Sequence, residues 1–202
     1  MVALIAVPFV LMGGFVAVYN YLSYRLAQEP FALPVSVVGL VFLAYLAGTA
    51  SSALAGRLAD ALGRPRVLVV AVLVMGSGLA LTLPDRIGFV IAGLVVFTAG
   101  FFGAHATASG WAPVVAAPNA TRASSLYVCS YYAGSSVFGV LLGTAWARSG
   151  WVGVASGVGA LTLVGLLAAL VVIAQTWTRI SSPSRAPSSS SRSSPDQNLP
   201  GS

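Results

Sequence analysis

Residues 56–66 read Gly56-Arg57-Leu58-Ala59-Asp60-Ala61-Leu62-Gly63-Arg64-Pro65-Arg66 and decide the fold of this chain. The stretch carries four charged side chains, whereas the long runs on either side of it, 30–55 and 67–84, carry none. A dense group of charges between two apolar runs is typical of a tight turn that lies outside a lipid bilayer and joins two spanning helices. We therefore predict membrane-spanning helices on both sides of this stretch.

The composition of the whole chain agrees with a membrane protein. Of its 202 residues, 57% are hydrophobic and 7% are charged, and the mean hydropathy is +0.91. A soluble domain carries roughly 25% charged residues, so this chain lacks the polar surface to fold in water. The net charge of +6 comes from arginines placed between apolar runs, which indicates orientation in a membrane and argues against a nucleic-acid partner.

Six apolar runs are long enough to cross a bilayer as helices, since about 20 residues rising 1.5 Å each span its hydrocarbon core. Uninterrupted apolar runs do not alternate as the strands of a membrane β-barrel must. The sequence thus predicts an all-α membrane protein, with a six-helix transmembrane bundle over 1–180 and a disordered, Ser- and Pro-rich cytoplasmic tail over 181–202. The predicted transmembrane helices are 2–24, 35–55, 67–83, 87–110, 124–147 and 151–176.

The arginines predict the orientation of the bundle. Six crossings place both termini on one side of the membrane, and cytoplasmic loops are enriched in Arg and Lys. If residues 56–66 are cytoplasmic, seven arginines lie inside and three lie outside, so both termini are expected in the cytoplasm. The inner set is Arg57, Arg64, Arg66, Arg122, Arg179, Arg185 and Arg192, and the outer set is Arg25, Arg86 and Arg148.

A short pattern recurs in the two halves of the bundle. Tyr-x-Ala-Gly-[Ser/Thr] begins at Tyr45 on the second segment and at Tyr131 on the fifth. Both segments are the middle helix of a three-helix group. Secondary transporters are often built as a 3+3 inverted repeat with the binding site between the repeats, so the pattern suggests this arrangement, although a match of five residues also arises by chance in a chain rich in Gly and Ala.

His105 is the only histidine, and it is the only strongly titratable side chain well inside a predicted span. Ionisable residues within the membrane often mark proton or substrate pathways, yet a neutral, hydrogen-bonded histidine near the interface fits the same position. The tyrosines at similar depth are explained either by a pathway or by anchoring and packing. The other pathway candidates are Asn20, Tyr21, Tyr24, Tyr45, Thr49, Tyr127, Tyr131 and Ser135.

The charged stretch has its own physical logic. Gly56 and Gly63 allow close approach and a helix-ending turn, and Asp60 can pair with Arg57 or Arg64. Such an ion pair would act as a cytoplasmic latch that forms in one conformation and breaks in another; the alternative is a solvated loop that only fixes topology.

The spacing of this stretch resembles the signature loop of the major facilitator superfamily, a large class of secondary transporters. The matching residues are Gly56, Leu58, Ala59, Asp60, Gly63 and Arg64, with Arg66 as a displaced basic residue. Ala61 and Pro65 depart from the usual pattern and are similar to the second copy of the motif. The resemblance therefore implies the C-terminal six-helix half of a twelve-helix major facilitator fold, of the bacterial drug or metabolite efflux type.

The resemblance implies that the protein is a secondary active transporter for a small organic solute. It would be a proton-coupled antiporter that works by alternating access in the bacterial inner (plasma) membrane. Its partners would be the solute, protons, the lipid bilayer, and an N-terminal six-helix half or a second copy. The alternative is a non-transporting structural membrane protein or an inert fragment. An intramembrane serine protease is disfavoured because His105 has no nucleophile on another helix in a suitable motif. The sequence contains no phosphate-binding, metal or redox motif, so no cofactor is expected.

Overall fold

The computed structural model describes the backbone of residues 2–181 and the side chains of residues 5–174, and this part of the chain forms helices joined by short loops, without a strand. Helices are expected in lipid because their backbone hydrogen bonds are satisfied internally. The predicted tail lies outside the described residues. The helices are α1 (Val2–Ala27), α2 (Val35–Val38), a 3-10 helix (Gly39–Ala44), α3 (Tyr45–Leu62), α4 (Arg64–Leu81), α5 (Ile87–Val115) and α6 (Ala120–Ser181).

The long helix α6 is broken in its middle. Ser149 (φ −143°, ψ 17°) and Gly150 (φ 54°, ψ −139°) leave the helical conformation, and Gly150 takes a positive φ that a residue with a Cβ rarely adopts. The break divides α6 into a first arm, residues 120–148, and a second arm, residues 151–181. It coincides with the turn that the sequence predicts between the fifth and sixth segments.

The two arms of α6 fold back on each other. A Cβ built at Gly153 would collide with the carbonyl oxygen of Ala145, and one built at Gly157 would collide with the side chain of Leu142. These contacts join positions on opposite sides of the break, so the arms run antiparallel. The described residues contain five helical stretches long and apolar enough to cross a membrane. Because the last stretch reverses on itself at Ser149 and Gly150, the described residues form six long helical arms, and the six crossings of a membrane stay a prediction.

The charged stretch is mostly helical. α3 continues through Leu62, so Arg57 and Asp60 lie on its final turns, and α4 begins at Arg64. Gly63 alone separates the two helices, with φ 88° and ψ 138°. The hydropathy of a segment indicates where the chain leaves the lipid bilayer. It does not indicate where the helix ends, because a helix can continue into water. The tight turn is therefore one residue long, whereas the predicted helices 35–55 and 67–83 leave eleven residues between them.

The other predicted loops are also shorter than expected. α5 continues to Val115 and α6 begins at Ala120, so only residues 116–119 connect them, whereas the predicted helices 87–110 and 124–147 leave residues 111–123 between them. α1 likewise continues to Ala27. In each case, as in α3, the helix continues beyond its apolar run because a helix can extend from lipid into water.

The two three-helix groups pack in matching ways. Gly48 of α3 lies against the ring of Phe102 on α5, and Gly134 of the first arm of α6 lies against the carbonyl oxygen of Phe9 on α1. In each case the glycine of the recurring Tyr-x-Ala-Gly pattern lets the middle helix of one group approach the first helix of the other. This symmetric pairing of helices is consistent with a 3+3 inverted repeat. The core lies between α1, α4, α5 and α6, and its largest fully buried side chains include Phe97, Leu22, Leu26, Leu68, Met75, Val18 and Val158.

Candidate functional site

His105 and Tyr127 meet between α5 and the first arm of α6. The hydroxyl oxygen of Tyr127 lies 3.0 Å from Nδ1 of His105 and 3.4 Å from the backbone carbonyl oxygen of His105. Tyr127 is buried and His105 is half-buried. Phe101 stacks on the imidazole with ring centroids 5.8 Å apart, and the ring of Tyr131 lies 5.4 Å from it. The structure thus brings three of the predicted pathway residues together.

A set of aromatic rings from α1, the 3-10 helix, α3 and α5 continues from this pair. Phe15 lies at its centre and stacks on Phe101 with centroids 4.0 Å apart, while Tyr45 and Phe102 meet Phe15 edge to face at 5.7 Å each. Sequence reasoning selected Tyr45 but missed the phenylalanines, because a Phe in an apolar run looks the same whether it faces lipid or another ring. We call this set the aromatic array; its members are Phe15, Tyr19, Phe42, Tyr45, Phe97, Phe101 and Phe102.

One buried hydrogen bond joins Tyr19 of the array, on α1, to Thr98 on α5. The hydroxyl groups of Tyr19 and Thr98 lie 2.7 Å apart, and both residues are buried. Away from water a hydroxyl group needs a protein partner, and here each supplies the other. This bond sets the position of Tyr19, whose ring also packs on Tyr45 at 5.1 Å. Thr98 was not predicted, since threonine is common in apolar helices and gave no distinct signal.

Three further candidates, Asn20, Tyr21 and Tyr24, lie at the end of α1 beside the first arm of α6. The hydroxyl group of Tyr21 donates to the carbonyl oxygen of Gly139 at 2.8 Å. The rings of Tyr21 and Tyr24 lie 5.9 Å and 6.3 Å from that of Trp146. Asn20 and both tyrosines border a cleft of about 460 Å³ that Tyr19 and Phe42 of the aromatic array also line. The cleft connects these candidates to the array.

Thr49 and Ser135 make only local hydrogen bonds among the described contacts. Thr49 Oγ1 donates to the carbonyl oxygen of Tyr45 at 3.2 Å, and Ser135 Oγ donates to that of Tyr132 at 2.8 Å. Such bonds within one helix satisfy the hydroxyl group without a second element. The structure therefore does not join these two candidates to His105.

The charged stretch forms a contact other than the predicted latch. Arg64 donates through Nη1 to the carbonyl oxygen of Gly110 on α5 at 3.0 Å. The ion pair found among the described residues joins Arg25 and Asp85. The pairing of Asp60 with Arg57 or Arg64 is not formed in this conformation, and a latch that forms in another conformation stays a prediction. The reason is geometric: Asp60 is exposed on the last turn of α3, while Arg64 begins α4 and reaches across to α5.

Gly56 and Gly63, the two glycines of the motif, have different environments. Gly63 takes the positive φ that ends α3, as predicted. Gly56 lies inside α3 and does not end it, and a Cβ built on it would meet nothing within 4 Å among the described residues. Its predicted role in close approach stays a prediction. Leu58 and Arg66 are both exposed, and Leu58 lines an apolar groove between α3 and α4.

A family model confirms the resemblance that the motif suggests. The model of the Major Facilitator Superfamily matches residues 4–199 of the chain. Apart from the first two residues of α1, the match covers the described helices and extends across both three-helix groups.

Similar bacterial proteins are known as transporters. The inner membrane transport protein YnfM of Escherichia coli (strain K12) is 43% identical over 169 residues, which is 84% of this chain and 40% of that protein. The uncharacterized MFS-type transporter YybF of Bacillus subtilis (strain 168) is 38% identical over 166 residues, 82% of this chain and 40% of that protein. An uncharacterized transporter of Buchnera aphidicola subsp. Schizaphis graminum is 40% identical over 167 residues, 83% of this chain and 40% of that protein. The chain thus spans about two fifths of the length of these relatives.

Proposed function

Because the chain belongs to the major facilitator superfamily, we propose that it forms the C-terminal six-helix half of a secondary transporter that exports a small organic solute in exchange for protons. Family membership points to transport across a membrane rather than to catalysis. The observation that carries the proposed proton coupling is the contact between Tyr127 and Nδ1 of His105. Transport would use alternating access, in which this half rocks against another six-helix half.

The contact at His105 suits reversible protonation. The hydroxyl group of Tyr127 can donate its proton to the carbonyl oxygen of His105, 3.4 Å away, while its oxygen accepts a hydrogen bond from Nδ1–H of His105. In that arrangement Nε2 takes up a proton with no change at Nδ1. Imidazole changes its protonation state between pH 5 and 8, the range in which a transmembrane proton gradient operates. His105 would therefore carry the proton, and Tyr127 would hold the ring.

The aromatic array supports a solute site that is mostly apolar with a few polar groups, as small-molecule sites usually are. Phe42 and Tyr45 are exposed at 55% and 37%, so their rings are available to a solute. We assign the cleft beside Asn20, Tyr21 and Tyr24 to one end of the pathway and Tyr131 to the other. Thr49 and Ser135 would contribute least, since their hydroxyl groups are already bonded.

A second six-helix half would complete the site. Tyr45 and Tyr132 lie inside membrane-spanning helices yet are exposed at 37% and 63%. In an isolated half their hydroxyl groups would face hydrocarbon, where polar groups without partners cost free energy. We propose that an N-terminal half of the same protein, or a second copy, covers this face and encloses the solute.

The arginine distribution supports the proposed placement in a bacterial inner membrane with both ends of the bundle toward the cytoplasm. Arg57, Arg64 and Arg66 lie around the single turn residue Gly63, and Arg122 lies on the first turns of α6. These positions are at the same end of the bundle. Clusters of arginine in short loops favour the cytoplasmic side.

Reconstitution tests the proposed exchange of solute and protons. The complete gene product that contains this chain is placed in liposomes that enclose the pH-sensitive dye pyranine, with a pH gradient across the membrane. A panel of small organic solutes is then added one at a time. We expect at least one solute to cause a proton flux that is absent in protein-free liposomes, and its own movement to stop when nigericin removes the gradient.

Two results would contradict parts of this proposal. Solute movement that continues unchanged after the gradient is removed would rule out proton coupling while leaving transport in place. If no solute in a broad panel moves, although the protein is folded in the membrane, the non-transporting alternative would be favoured.

A further inference from the structure

Arg25, at the end of α1, contacts more separate segments of the chain than a membrane anchor would. Its Nη1 donates to the carbonyl oxygen of Thr82 at 2.5 Å, and its Nη2 lies 2.7 Å from Oδ1 of Asp85. Nη2 also reaches the carbonyl oxygens of Leu83 and Pro84, at 3.2 Å and 3.3 Å. Arg25 is buried, with 6% of its surface exposed. The guanidinium group is thus fixed in the turn between α4 and α5.

Two aromatic rings enclose the same guanidinium group. Its central carbon lies 5.2 Å from the ring centre of Trp151, the first residue of the second arm of α6, and 5.4 Å from that of Phe31, in the loop that leads to α2. Cation–π contacts of this kind are strongest where water is excluded. Arg25 therefore joins the end of α1 to three other segments: the turn after α4, the start of the second arm of α6 and the loop before α2.

The carbonyl groups that Arg25 binds explain why an arginine is needed. α4 ends at Leu81, and the carbonyl groups that follow a helix end have no partner in the helix. A cation placed there also interacts favourably with the helix dipole. The planar guanidinium group can donate to several oxygens and stack on rings at once, whereas the ammonium group of lysine is a point charge. Asp85 contributes less, because its side chain is 66% exposed and exposed ion pairs are weak.

The opposite end of the bundle, marked by Arg64, is joined differently. Among the described residues, each hydrogen bond between helices toward that end links one pair of elements. Arg64 binds the carbonyl oxygen of Gly110, Ser130 binds that of Ile5, and Tyr127 binds His105. The Arg64 bond is exposed to solvent. No described residue at that end makes hydrogen bonds, ion pairs or cation–π contacts to as many segments as Arg25 does.

We propose that Arg25 fixes one end of this half as a rigid unit, so that the helices move relative to one another at the Arg64 end during transport. The proposal rests on the proposed transport function for its role in the cycle, but the rigid end itself is a property of the fold. Arg25 is accordingly a positioning residue that does not touch the solute.

Hydrogen exchange tests the rigid end without any solute. The probe is amide exchange of the complete gene product in detergent, read by mass spectrometry over 24–34, 80–87 and 146–153 at the Arg25 end and over 60–66 and 112–119 at the Arg64 end. In the wild type the first three segments should exchange at least ~10-fold more slowly than the last two, because local opening needs several contacts to break. Equal exchange at both ends would overturn the proposal.

Variants of Arg25 and Asp85 distinguish a residue that joins several segments from one that only caps the turn after α4. Arg25→Gln should speed exchange in 24–34, 80–87 and 146–153 together, by ~10-fold or more, and leave 60–66 and 112–119 unchanged. Arg25→Lys keeps the charge and is less disruptive to folding than Arg25→Gln, so it should speed exchange in the same segments by a smaller factor. Asp85→Asn should change exchange by less than ~3-fold. If the arginine variants affect only 80–87, Arg25 is a cap of one turn and the proposal fails.

Crosslinking tests the consequence for transport. In a Cys129→Ser background, Gln28 and Val152, which line one cleft at the Arg25 end, are replaced by cysteine and joined by a short bismaleimide. A second protein carries cysteines at Arg64 and Gly110 and is oxidised to a disulfide. The first crosslink should leave the transport rate within ~2-fold, since that end does not deform, and the second should stop transport until it is reduced. Loss of transport on joining Gln28 to Val152 would refute the proposal even where the proposed solute exchange is established.

Discussion

The hydroxyl oxygen of Tyr127 lies 3.0 Å from Nδ1 of His105, although the two residues belong to different membrane-spanning helices and are 22 positions apart. Tyr127 is buried and binds no other residue among the described hydrogen bonds. The pair places a titratable ring in a fixed orientation beside the aromatic array. Nδ1 of His105 has Tyr127 as its partner, and Nε2 is the nitrogen proposed to take up the proton. Variants of His105 and Tyr127 can therefore test the two roles separately.

His105→Gln should lower solute-driven proton flux by ~10-fold or more and remove its dependence on pH between 5 and 8, since glutamine keeps hydrogen-bonding groups but cannot take up a proton. The flux is measured at several pH values with the pyranine assay. Tyr127→Phe is the matched control: it keeps the ring and the imidazole, so the pH dependence should remain while its midpoint moves. A His105→Gln protein with the wild-type rate and pH profile would remove His105 from the pathway.

Tyr19→Phe should destabilise the bundle by about 1 kcal/mol, because it leaves the buried hydroxyl group of Thr98 without its partner. Thr98→Val should cost a similar amount. The double variant should cost less than the sum, with a coupling free energy of about 0.5–1 kcal/mol. Thermal unfolding in detergent measures all three, and additive costs would mean that the 2.7 Å contact contributes nothing to stability.

Gly134→Ala should be among the most damaging small substitutions in the chain. A methyl group there would collide with the carbonyl oxygen of Phe9 on α1, so α1 and α6 would have to move apart at a cost of about 1–3 kcal/mol. Gly139→Ala on the same arm is the control, since its Cβ would lie at an ordinary 3.5 Å from Val16. The melting temperatures of the two variants in detergent decide the question; equal values would show that the helices do not approach closely at Gly134.

Gly63→Ala and Gly56→Ala should change stability in opposite directions. Gly63 has φ 88°, a conformation that costs an alanine about 1 kcal/mol or more. Gly56 lies inside α3 with open space around it, so alanine there should stabilise the helix by about 0.5–1 kcal/mol. Denaturation of both variants under one condition provides the comparison. Destabilisation by Gly56→Ala would indicate that another element packs against Gly56 in the assembled protein.

The helix ends illustrate how far hydropathy predicts this fold. The positions of the apolar runs follow from composition alone, because a segment in lipid must be both apolar and helical. Arg57 and Asp60 were nevertheless expected in a loop and lie on α3. A charged side chain marks the surrounding solvent, and the backbone can remain helical after it leaves the bilayer.

The candidate site shows a different kind of limit. His105 and Tyr45 stand out in the sequence because a polar group in an apolar run is unusual. Phe15, Phe101 and Thr98 do not, although they complete the aromatic array and its buried hydrogen bond. Arg25 was expected only as an interface residue on the outer side, and its contacts with the turn after α4 depend on residues 57 to 60 positions away.

The sequence by itself determined that this is a helical membrane protein and which family's loop it carries, because the solubility of each segment in lipid and the spacing of a local motif are properties of the chain read in order. The tertiary structure alone decided that Tyr127 holds His105, that Arg64 binds Gly110 instead of Asp60, and that Arg25 joins the end of α1 to the turn after α4, to Trp151 and to Phe31. Those contacts depend on which faces of distant helices meet, and lipid, which solvates every apolar face alike, leaves that choice to close packing and to the few polar groups that must find a partner.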